Sequence, residues 1–98
     1  MLIRNAVVDG SLTDLRLMHG CVQEMGAGLH KSLYEAELDL TGDELRPCPP
    51  DMTLPRRFRR RMATPATAGE HIMPGTPAPL TRWRAGEMIG LIDEHAAD

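Results

Sequence analysis

The sequence predicts a mainly β fold: a small antiparallel half-sandwich of about five short strands, a proline-rich arm and one C-terminal amphipathic helix. Three observations lead to this expectation. Short apolar runs separated by glycine turns fill residues 1–46, all eight prolines lie between Pro47 and Pro79, and apolar residues return at helical spacing after Thr81.

The first run, residues 2–8, is apolar and β-branched and stops at Asp9-Gly10, a common turn pair. Residues 12–17 alternate, with Leu15 and Leu17 on one face and Asp14 and Arg16 on the other, the pattern of a strand with one buried side. His19-Gly20 then suits a tight two-residue hairpin into residues 21–25, and Gly26 and Gly28 mark the next break. Residues 29–35 fit a helical turn or a loop equally well. Residues 36–40 alternate again, and Thr41-Gly42-Asp43 turns into a short strand over residues 44–46.

Proline lacks an amide donor and holds its predecessor extended, so residues 47–80 should be a linker or an arm laid over another surface. Beyond it, residues 81–98 read as a helix. Thr81 is the N-cap, and Ala85, Met88, Ile89, Ile92 and Ala96 form the apolar face. Gly86 and Gly90 each cost about 1 kcal/mol relative to alanine, so this helix needs a surface to dock on.

Composition narrows the function. Ninety-eight residues make one small domain, and one Phe, one Tyr and one Trp give its core few large anchors. A net charge of −3 gives no overall bias toward nucleic acid. No run approaches the roughly 18 apolar residues of a membrane helix, and the N-terminal residues do not form a signal peptide. Cys21 and Cys48 are too few for a disulfide framework, so the expectation is a cytoplasmic protein with free thiols.

Three segments resemble the start of the metal-dependent amidohydrolases: Leu2-Ile3-Arg4-Asn5-Ala6 through Asp9-Gly10, then His19-Gly20-Cys21-Val22-Gln23-Glu24-Met25-Gly26, then Leu38-Asp39-Leu40-Thr41-Gly42. In that family they match I-R-N-A, D-G, D-G-R-I-x-x-I-G and a V-x-D-x-x-G turn. The resemblance covers residues 1 to about 51 and implies the N-terminal half of a small composite β-sandwich beside a (β/α)8 barrel, with strands from the far C-terminus completing the sandwich. It also implies where a metal site should follow, as D-x-H-x-H. Asp51 falls on the family's aspartate, but Thr53 and Pro55 occupy the histidine positions, and proline offers no donor atom. A second registration on Ile72-Met73-Pro74-Gly75 puts Ala78, Leu80 and Arg82 at the three ligand positions and fails equally. The barrel itself needs about 200–250 residues, which are not here.

Among other candidates, Arg56, Arg57, Arg59, Arg60 and Arg61 around Phe58 could contact an anionic partner, either phosphates or the acidic segments of this chain or its neighbour. Residues 1–45 and 83–98 carry net charges of −5 and −3, which favours the acidic segments. His71 reads as a surface histidine, His19 as a hairpin residue and Cys21 as a core thiol. Cys48, between two prolines and near arginines, is the thiol most open to activation, although a passive role fits it better. No catalytic, cofactor-binding or metal-binding residue is expected.

The function expected from these readings is a truncated amidohydrolase-like module without its own metal site, serving structure or oligomerisation. A homodimer exchanging its arm or helix would cover the edges left by missing strands. A subunit that complements a separate amidohydrolase barrel is the alternative, and a nucleic-acid binder using the Arg56–Arg61 run is the third.

Overall fold

The computed structural model describes residues 1–48 and 71–94. They form seven strands: β1 (Leu2–Val8), β2 (Ser11–Met18), β3 (Cys21–Gly26), β4 (Glu37–Asp39), β5 (Glu44–Pro47), β6 (Leu80–Arg84) and β7 (Glu87–Ile92). All belong to one sheet of order β3-β2-β1-β5-β6-β7, with β4 also paired to β1.

The first five strands stand where the apolar runs place them, but the sheet is mixed rather than antiparallel. Antiparallel hairpins join β1 to β2 and β2 to β3, whereas β4 and β5 both run parallel to β1. After β3 the chain crosses back over residues 27–36 and enters the free edge of β1 in the same direction. A bulge at Asn5 (φ 56°) then divides that edge. β4 pairs with Leu2, Ile3 and Arg4, and β5 takes over at Val7. In between, Leu40 and Gly42 donate their amides to the carbonyls of Arg4 and Asn5. Strand polarity is a property of the path between strands, so alternation alone could not supply it.

The C-terminal helix is corrected for its described part: residues 80–92 are the hairpin β6–β7. Ala85 and Gly86 sit at φ 51° and 79°, the left-handed pair of a type I′ turn, whose twist matches the flanking strands. Gly86 takes this conformation without strain, which is why a residue that weakens a helix closes a hairpin here. Pairing β6 onto β5 supplies the docking that an isolated helix with two glycines would have lacked.

Residues 71–79, read as part of the arm, lie along the other edge. Gly75 donates to Val22 O, Val22 to Thr76 O and Ala78 to Gly20 O, and Cys21 bridges Pro77. From Pro77 the chain reaches Leu80 in β6 within three residues, at most about 10 Å. The two sides of the sheet therefore lie close together, rolled around one core. Ile3, Ala6, Leu15, Leu17, Val22, Leu40, Leu45, Ile72, Leu80 and Ile92 fill it. Leu15 and Leu17 point inward as their alternation requires.

The edges that motivated a domain-swapped dimer are thus occupied within the chain, by β6 on β5 and by residues 74–78 on β3. Among the described residues no helix is long and apolar enough to cross a membrane.

Candidate functional site

The polar residues of β1 and β2 build a clamp on the sheet's second face. Asp14 is buried and its carboxylate accepts from Arg4 Nη1 (2.9 Å), Asn5 N (3.1 Å) and Leu29 N (3.1 Å). Arg16 binds Glu35 through Nε (2.8 Å) and Nη2 (3.1 Å), reaches the carbonyl of His30, and pairs with Glu24. Glu35 also accepts from Ser32 N at 3.0 Å. These bonds, the Arg16 hydrogen bond foremost, hold the Glu35 carboxyl down at about 2 against desolvation.

The clamp fixes the loop between β3 and β4 as irregular chain rather than a helical turn. Its tip is the turn Ser32–Glu35, closed by Glu35 N on Ser32 O at 3.1 Å. Tyr34 sits there at φ 69°, a conformation that tyrosine rarely adopts. Leu33 and Tyr34 are 82 % and 95 % exposed, the most exposed large apolar side chains among the described residues. The clamped turn thus holds two adjacent apolar side chains out into solvent.

The second feature is a cleft of about 230 Å³ between the turn after β4 and the β6–β7 hairpin. Asp43, Glu44, Arg46, Trp83 and Arg84 line it, with Ala85 and Gly86 at its rim. The Asp43 carboxylate accepts from Arg82 Nε (2.7 Å) and from Arg84 Nε and Nη2 (2.9 and 2.8 Å). These bonds hold its carboxyl at about 2, with Arg84 the largest cause. Arg46 pairs with Glu44 and stacks on the Trp83 indole, 4.1 Å from the ring centre. Trp83 Nε1 donates to Thr81 Oγ1 at 2.7 Å, which fixes the indole plane.

No family model, curated protein or solved structure matches this chain.

The structure sorts the sequence candidates. Arg56, Arg57, Arg59, Arg60 and Arg61, with Asp51, Thr53 and Pro55, lie outside the described residues. His71 is exposed at the surface, with Nδ1 3.0 Å from Asp9. His19 (φ 58°) occupies the β2–β3 turn as expected, and Glu94 accepts the amides of His19 and Gly20. Cys21 is half-buried on β3 rather than a core thiol, and its Sγ lies 3.6 Å from Met18 O. Cys48 is buried, not open to solvent, and burial pushes its thiol up, which opposes the activation that the neighbouring arginines suggested. Among the described residues no group of three His, Cys, Asp or Glu is placed to hold a metal ion.

Neither the clamp nor the cleft is legible in the sequence. The helical spacing after Thr81 places Arg82 and Arg84 in a helix, where nothing links them to Asp43. One signal was present: Ala85-Gly86 between two short polar-apolar runs has the form of a two-residue hairpin.

Proposed function

We propose that this chain is a non-catalytic structural and association module, similar to the small composite β unit of an amidohydrolase and without a metal site of its own. One observation carries the reading. Strands from the chain's first half are completed by a hairpin from its last part, the division of labour that the N-terminal resemblance implies. The metal-ligand pattern that the resemblance implies is replaced at both registrations of the sequence. The sheet and its clamped loop hold Leu33 and Tyr34 outward.

The partner in this reading is a second copy. A domain of this size buries a modest share of its surface and gains from association. The two side chains would form the centre of a contact made symmetric by a two-fold axis.

Sedimentation velocity across micromolar concentrations tests it. The wild type is expected to self-associate, and the double variant Leu33→Ser, Tyr34→Ser to sediment as a monomer with an unchanged circular dichroism spectrum. A wild type that stays monomeric removes the association, and metal-dependent amide hydrolysis by the purified chain removes the non-catalytic reading.

A further inference from the structure

We propose that the cleft between Asp43, Arg46, Trp83 and Arg84 binds one small oxyanion, the carboxylate or phosphate group of a ligand, with Arg46 as its principal contact. This goes beyond the association reading and does not depend on it.

Charge distribution is the first argument. The described residues hold eleven Asp and Glu against six Lys and Arg, yet three of those six, Arg46, Arg82 and Arg84, gather at this one place. Arg4 faces two carboxylates, Asp14 and Glu37, and Arg16 faces Glu24 and Glu35. Here the ratio reverses: Arg46 and Arg84 line the cleft, Arg82 reaches Asp43 from beside it, and the three guanidinium groups share Asp43 and Glu44. One positive charge is left in excess in this cluster, whereas the described residues as a whole are acidic.

Donor accounting is the second. Asp43 takes Nε from Arg82 and Nε with Nη2 from Arg84, and Glu44 takes only Nε from Arg46. Among the described residues no acceptor meets the two Nη groups of Arg46 or the Nη1 of Arg84. Both side chains are substantially open to solvent, at 47 % and 61 %. The Nη edge of a guanidinium matches two oxygens of a carboxylate or phosphate in a paired geometry.

Preorganisation is the third. The Arg46 guanidinium carbon sits over the Trp83 ring, 4.1 Å from its centre, and the indole is fixed by Thr81, itself fully buried and hydrogen-bonded to Arg46 O at 2.9 Å. Stacking spares Arg46 part of the rotamer freedom that a surface arginine would lose on binding. Beside it, Glu44 and the strand pairing Glu44↔Trp83 hold the stack at the mouth of the cavity.

Trp83 is the single tryptophan, so its fluorescence reports on this cleft directly. The full chain is titrated with sodium acetate and, separately, inorganic phosphate at constant ionic strength, with chloride as the reference anion. A saturable emission change is expected, half-complete on the order of 1–10 mM, as suits one charge-assisted contact in an open site. Amide shifts of Gly42 and Gly86, which line the cleft, are expected to move with the same midpoint. Response to acetate alone assigns the site to carboxylates, response to phosphate alone to phosphoryl groups, and response to both to oxyanions generally. Arg46→Gln is expected to raise the midpoint at least tenfold in the amide titration, which does not depend on the indole stack. Lys31→Gln, on the distant loop, leaves it unchanged. An equal response to chloride, a linear response to every anion, or a wild-type midpoint in Arg46→Gln overturns the proposal.

Discussion

Replacing Glu35 by Gln should loosen the clamp that holds the β3–β4 loop. The carboxylate takes two hydrogen bonds from Arg16 and one from Ser32 N, and its carboxyl lies at about 2 instead of 4.5. At about 1.4 kcal/mol per pKa unit the full shift corresponds to about 3 kcal/mol. Glu35 lies under a single loop, and nearby solvent screens the pair, so about 1–2 kcal/mol is the expected loss at neutral pH. Because the folded-state value is depressed, this contribution is complete above the ordinary carboxylate value of 4.5 and disappears as pH falls through about 2. Urea unfolding followed by Trp83 fluorescence should therefore give a lower midpoint for Glu35→Gln at neutral pH. The gap to the wild type should narrow as the solution is acidified. Equal midpoints at neutral pH, or a gap that grows on acidification, would refute the clamp.

Two further outcomes follow from the hairpin and the thiols. Ala85→Asn should stabilise the protein by about 0.5–1 kcal/mol, because Asn tolerates the left-handed conformation that costs Ala about 1 kcal/mol. A thermal scan should show the midpoint rising by about 2–6 °C. In a helix the same change would destabilise by about 0.6 kcal/mol, so the sign alone separates the two structures. With a disulfide reagent, half-buried Cys21 should react in the native state and buried Cys48 about a hundredfold more slowly, with urea making the two equal. Fast reaction of both thiols in the folded protein would contradict the burial of Cys48.

The residues explain why some of this was legible. The alternation of Leu15 and Leu17 with Asp14 and Arg16 matches the period of a strand, and Asp9-Gly10 and His19-Gly20 match the turns that close hairpins. Short-range geometry decides both, so five strands could be placed. The segment after Thr81 shows the limit. Ala85, Met88, Ile89 and Ile92 satisfy a helical period by spacing alone, while Gly86, Gly90 and Trp83 favour a strand pair. Which pattern wins depends on whether the edge of β5 is there to receive β6.

The sequence by itself determined the five strands between residues 2 and 47 and the tight turns at Asp9-Gly10, His19-Gly20 and Thr41-Gly42, since each is a property of neighbours along the chain. Only the tertiary structure decided the parallel pairing of β1 with β4 and β5, the hairpin in place of a helix, and the gathering of Asp43, Arg46, Trp83 and Arg84 into one cleft. Asp43 and Arg84 lie 41 positions apart. Charges that distant meet only when a sheet carries their backbones side by side, and no local pattern encodes that meeting.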